Sequence, residues 1–100
     1  MASQLRIYTI NRGMMDSWLR LFEDHIRPLH SKYGMLVENT WVNADRTEFI
    51  WVLSFDAEEI KEKAAEYAAS PERQALGDRP DSHVAKRELL VIEPVLTGPR

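Results

Sequence analysis

The chain has 100 residues, 44% hydrophobic and 29% charged, the make-up of one folded domain and not of a disordered or fibrous chain. Its net charge of -3, from 13 basic and 16 acidic residues, offers nothing to draw in nucleic acid or an acidic membrane surface, and neither is expected as a partner. There is no cysteine, which excludes disulfides, zinc–thiolate sites and a thiol nucleophile, and no apolar run approaches the ~18 residues of a membrane span.

Residues 4–10, Gln-Leu-Arg-Ile-Tyr-Thr-Ile, are rich in β-branched and aromatic types with partial period-two alternation, which predicts a strand broken by Asn11-Arg12-Gly13. Trp18, Leu21, Phe22, His25, Ile26, Leu29 and Tyr33 then recur at helical spacing and predict one amphipathic helix with its apolar stripe toward the sheet. Asp16 suits the positive end of that helix, Gly34 its left-handed stop, and Pro28 removes the hydrogen bond to the Asp24 carbonyl and predicts a kink. Residues 35–43 and 47–55 read as a hairpin turned at Asn43-Ala44-Asp45-Arg46. Asp56 is expected to open a second helix, with Glu59 at the reciprocal capping position. The apolar face of that helix is Ile60, Ala64, Tyr67 and Ala68, and its small alanines should let it pack close. Ser70-Pro71 starts a short helical turn ending at Gly77; residues 78–85 read as a polar loop, and 86–96 as the last strand. One domain over residues 1–100 is expected, ordered from about Ser3 to Leu96, with a short tail from Thr97 to Arg100.

The order β-α-β-β-α-β is the ferredoxin-like split arrangement, an α+β fold with a four-stranded antiparallel sheet and both helices on one face. Such a sheet should alternate apolar and polar residues, yet Phe49-Ile50-Trp51-Val52-Leu53 and Leu89-Leu90-Val91-Ile92 are apolar on both parities. The face away from the helices is therefore apolar too, and a sheet-to-sheet homodimer is expected to cover it. Burying ~800 Å² per partner is ordinary for a stable dimer, and at ~25 cal/mol/Å² it gives roughly 20 kcal/mol of gross driving force before the costs of association.

Several short motifs resemble the NIPSNAP family: Leu5-Arg6-Ile7-Tyr8-Thr9-Ile10 followed by Gly13 and Trp18-Leu19; Leu29-His30-Ser31-Lys32-Tyr33-Gly34 followed by Trp41; and Ser70-Pro71-Glu72-Arg73-Gln74-Ala75. The resemblance spans roughly residues 4–96 and implies a dimeric α+β barrel, in which two sheets face each other and each subunit keeps a small-molecule cavity between its sheet and helices. Relatives with that architecture include antibiotic-biosynthesis monooxygenases, haem-handling enzymes and lactone isomerases, whereas NIPSNAP members mostly lack an assigned reaction. Some eukaryotic members are linked to mitochondria and vesicle traffic. Here Arg6, Arg12, Asp16 and Arg20 interrupt the first twenty residues, no leader is read, and a cytoplasmic location is expected.

Arg6 and Tyr8 share a strand face and could grip a carboxylate or enolate oxygen; alternatively Arg6 pairs with an acid across the sheet and Tyr8 packs. His25, in the apolar stripe, could be a base aimed into a cavity or a core histidine with one hydrogen bond. His30 lies about 140° further round a regular helix, so the two cannot share a metal, and no protein metal site is expected. Trp41 and Trp51, with Phe49 and Phe55, could wall an aromatic ligand or simply be core. Asn39 shares parity with Val37 and Trp41, which makes it a candidate buried polar residue, while His83 is expected to be solvated. Glu58 to Lys63 reads as a solvated helix face. In haem-degrading relatives an asparagine of the first strand works with a strand tryptophan and a histidine. Trp51 could stand for that tryptophan, but the first strand has no asparagine before Asn11, and no cofactor is expected. Two functional readings result: a non-catalytic binding or interaction module, or a cofactor-independent oxygenase or isomerase acting on a small hydrophobic carbonyl compound. The second requires a closed cavity in which at least two of Arg6, Tyr8 and His25 converge; the first requires that Arg6 and His25 be satisfied by neighbouring protein groups, leaving no pocket.

Overall fold

Residues 2–56, 58–93 and 95 are described by a computed structural model of the chain. The four apolar segments form strands at Ala2–Ile10 (β1), Leu36–Val42 (β2), Glu48–Phe55 (β3) and Val84–Ile92 (β4). They pair antiparallel in the order β2-β3-β1-β4, so β3 lies between the first two strands of the chain, as the split arrangement requires. Asn43 closes the β2–β3 hairpin, its Oδ1 accepting from the Thr47 and Glu48 amides at 2.8 and 2.9 Å.

The first helix is interrupted. It runs as α1 (Met15–Leu21), a π-helical turn (Phe22–Ile26) and α2 (Arg27–Lys32). Pro28 explains the interruption, since its ring lacks an amide hydrogen and crowds the carbonyl four residues back, and the wider turn just before it relieves both problems. The helix ends as expected at Gly34, with φ +78°; the Gly34 amide donates to Ser31 O and the Met35 amide to His30 O.

One face of the sheet meets these helices. Tyr8, Ile10, Phe49, Trp51, Leu53 and Phe55 bury there against Trp18, Leu21, Phe22 and Ile26. Tilted and edge-on aromatic contacts link Tyr8, Trp18, Phe22, Phe49 and Trp51. On the opposite face Leu5 stands between Val52 and Leu90, and Ile7 lies opposite Ile50. Leu36, Trp41 and Leu90 are exposed on that side.

The C-terminal half departs from the sequence reading in three places. Asp56 does not cap a helix; its Oδ1 accepts from the Glu58 amide in an Asx turn, and α3 (Ile60–Ala69) begins later, behind Glu59. No side chain of α3 is buried, and Ala64 and Ala68 are exposed, so the expected close packing is limited to Ile60 and Tyr67 against the core edge. The segment read as a polar loop contains a helix, α5 (Arg79–His83), with Pro80 and His83 buried. Between them α4 (Pro71–Leu76) follows expectation: the Ser70 hydroxyl accepts from the Arg73 amide, Pro71 opens the helix, and Gly77 stops it at φ +59°. The last strand ends at Ile92; the tail from Thr97 lies outside the described residues.

Candidate functional site

A cavity of about 170 Å³ lies between the helix-facing side of the sheet and the helices. Its size is near the ~150 Å³ that admits one benzene-sized molecule. β1 contributes Arg6 and Tyr8, β3 contributes Trp51 and the first helix contributes Trp18 and His30, while Tyr67, Arg73, Asp81 and Arg87 come from α3, α4, α5 and β4.

Arg6 is held in a fixed pose. Its Nε donates to Gln4 Oε1 at 2.8 Å, its Nη1 donates to Tyr8 Oη at 3.2 Å, and the guanidinium lies 5.0 Å from the Trp51 ring centre. Among the described residues no acidic partner makes Arg6 a plain sheet ion pair; both of its hydrogen-bond partners there are neutral. Arg87 stacks 5.1 Å from the Tyr8 ring and donates to Asp81 at 2.7 Å.

His30 is buried, and its Nδ1 lies 2.9 Å from Ile26 O. A carbonyl can only accept, so the proton sits on Nδ1 and the Nε2 lone pair is free. Among the described residues Nε2 has no hydrogen-bond partner. The pKa of His30 is lowered to about 4, first by burial and then by the charges of Arg6 and Arg73, against the opposing effect of the Ile26 bond. The ring is therefore a neutral base at neutral pH. Tyr67 packs 4.3 Å from it, and burial pushes the Tyr67 phenol up, which keeps it a protonated donor. Among the described residues the buried indole Nε1–H groups of Trp18 and Trp51 have no partner. Donors in that state are rare in folded proteins and call for an acceptor.

Comparison of the coordinates with solved structures gives full-length matches. An uncharacterised NIPSNAP domain protein from Burkholderia xenovorans superposes at a TM-score of 0.85 with 19% identity over 100% of both chains. A NIPSNAP family protein of unknown function from Agrobacterium tumefaciens gives 0.87 with 16% identity, over 99% of this chain and 92% of that one. The fold is that of the NIPSNAP proteins. An antibiotic biosynthesis monooxygenase matches at 0.70 with 12% identity, over 96% of this chain and 100% of the other. No family model matches the sequence, and no curated protein does.

Within this NIPSNAP fold, three residues expected from the sequence, Arg6, Tyr8 and Trp51, line one cavity, and three do not. His25 was expected to face the sheet but is exposed. The π-helical turn holds one residue more than an α turn, which sets the face back, so His30 points inward in its stead, beside Ile26 and Leu29, which are buried as expected. His25 lines a shallow groove with Pro28, Leu29, Lys32 and Glu72, where Lys32 and Glu72 pair with each other. Asn39 and Trp41 are exposed on the helix-free face, opposite Val52 and Ile50. A bulge at Glu38 shifts the β2 register, so Val37 faces the helices while Asn39 does not, and the shared parity read from the sequence is broken. His83, expected in solvent, is buried; its Nδ1 donates to Arg79 O at 2.7 Å and its Nε2 accepts from the Ser17 hydroxyl at 2.8 Å. Tyr67, Arg73 and Arg87 reach the cavity from three separate elements: the sequence places Tyr67 on the apolar face of its helix as a packing residue, and Arg73 and Arg87 read as surface residues. The Ser70-to-Ala75 motif was the one signal pointing at Arg73. Among the described residues no cluster of three His, Asp or Glu side chains could hold a metal, and no helix is long and apolar enough to cross a membrane.

Proposed function

We propose that the chain is a single-domain, NIPSNAP-like homodimer whose sheet–helix cavity binds a small hydrophobic carbonyl compound and removes a proton beside its carbonyl without a cofactor. The observation that carries this reading is the convergence of a neutral base, His30 Nε2, with a fixed cation, Arg6, and a phenol donor, Tyr67, on one cavity. Oxygenase and isomerase chemistry on such compounds share a first step. The C–H bond next to the carbonyl breaks, its proton goes to Nε2, and the electron pair ends on the carbonyl oxygen as an enolate. Arg6 and Tyr67 are suited to hold that oxygen as charge develops on it. Isomerisation is completed when His30 returns the proton to a different carbon. The interaction-module reading required that no pocket be left; Arg6 does find neutral partners, but the cavity favours the catalytic alternative.

The apolar outer face supports the homodimer: Leu5, Ile7, Ile50 and Val52 form a half-buried centre flanked by exposed Trp41 and Leu90. The proposal keeps the cytoplasmic setting expected from the sequence. The test is deuterium wash-in. Acetophenone in D2O should lose its methyl proton signal faster with the protein than without, and His30→Ala should abolish the acceleration. Equal rates for wild type and His30→Ala would overturn the assignment of the base.

A further inference from the structure

Three guanidinium groups, those of Arg6, Arg73 and Arg87, border the cavity against a single carboxylate, Asp81, and Asp81 is already taken by Arg87. Among the described residues Arg6 and Arg73 form no ion pair. Both are partly buried, and a guanidinium withdrawn from water without a counter-charge is costly. The two reach the cavity from separate elements, β1 and α4, and both act on His30 and Tyr67 through their charge. Apart from the His30 Nε2 lone pair, every other hydrogen-bonding group there is a donor or is committed. Tyr8 Oη already accepts from Arg6, and among the described residues the Trp18 and Trp51 indoles are unpartnered donors.

We propose that the cavity is selective for an anion: a single-ring or similarly compact carbonyl compound carrying a carboxylate, whose charge is held between Arg6 and Arg73. This rests on the ligand-cavity reading above and narrows it to a substrate class. Arg suits the task because its planar fork matches a carboxylate and it stays charged at any working pH. Arg6 is also pre-oriented by Gln4 and Trp51, so little side-chain freedom is lost on binding.

A bound carboxylate would also strengthen the base. The groups that bear on His30 are Arg6 and Tyr8 from β1, Tyr67 from α3, Arg73 from α4, and the Asp81–Arg87 pair. The two unpaired guanidiniums oppose the imidazolium, and an anion between them cancels that opposition. Binding should then be accompanied by partial proton uptake at His30 below neutral pH.

The test uses a matched pair, 4-acetylbenzoate and acetophenone, which lacks the carboxylate, titrated into the full chain and followed by tryptophan emission, since Trp18 and Trp51 line the cavity. The acetylbenzoate should bind at least about tenfold more tightly, a preference within the range of one charged hydrogen bond. Arg73→Gln should erase most of that preference while leaving acetophenone binding unchanged, and Arg6→Gln, which also removes a donor to the carbonyl oxygen, should weaken both probes and the acetylbenzoate more. Arg73 lies on a surface helix, so its variant keeps the test readable if Arg6→Gln fails to fold. Equal affinity for both probes, or a preference that survives both substitutions, would overturn the anion assignment and leave the cavity reading standing. Binding of neither probe would overturn both.

Discussion

Burial and the charges of Arg6 and Arg73 hold His30 at a pKa of about 4, while in the unfolded chain it titrates near ~6.5. Between those values the unfolded state binds more protons than the folded one, so this contribution to stability is complete above pH ~6.5 and is lost as the pH falls toward 4. A separation of that size corresponds to roughly 3 kcal/mol. Urea unfolding at pH 7.5, 5.5 and 4 should show the fall, and His30→Gln should flatten it. A wild-type profile level across that window would contradict the buried neutral imidazole. His83, by contrast, is satisfied at both ring nitrogens, so His83→Ala should leave the Ser17 hydroxyl without its acceptor and destabilise by about 1–3 kcal/mol. Thermal unfolding of that variant checks it.

At the scale of elements, Ser70 joins two helices that shape the cavity wall. Its hydroxyl donates to Tyr67 O at the end of α3 and accepts from the Arg73 amide at the start of α4. Ser70→Ala should cost about 1 kcal/mol in denaturant unfolding, as loss of an N-cap does, and should weaken ligand binding by loosening both Tyr67 and Arg73. Gly77→Ala should cost at least as much, because its positive φ is a conformation other residues resist. This stretch was legible because Ser-Pro and Gly act through local backbone chemistry. The strands were legible for a similar reason: β-branched and aromatic runs such as residues 49–53 report sheet directly, and period two placed Arg6 and Tyr8 on one face. What failed did so through insertions in the period. One extra residue in the turn before Pro28 exchanged His25 for His30, and one extra residue at Glu38 carried Asn39 and Trp41 to the other side of the sheet. Neither leaves a mark in composition, since a helical or β pattern is read on the assumption of unbroken spacing. The helix over Arg79–His83 was hidden because its buried residues, Pro80 and His83, are types that read as loop.

At the scale of the whole molecule, the proposed dimer rests on the helix-free face. Val52 sits at its centre, paired with Leu5 on one side and Asn39 on the other, and Leu90 lies beyond Leu5. The proposed dimer predicts twice the chain mass in native mass spectrometry. Val52→Asp or Leu90→Asp should return the single-chain mass with an unchanged far-UV circular dichroism spectrum, because neither residue belongs to the buried core. A wild-type monomer would remove the reason for that face to be apolar.

The loosely seated α3 has a consequence for time as much as for structure. None of its side chains is buried, yet it carries the Tyr67 ring that closes over His30. A helix so seated opens at low free energy, well before the sheet does. Its amides should be among the first helical ones to exchange with deuterated solvent, and each opening would uncover the cavity. α3 would then act as a door, setting how fast a molecule enters and leaves without changing how tightly it is held. A cross-link from α3 to α4 should slow association and dissociation by the same factor, with the equilibrium constant unmoved.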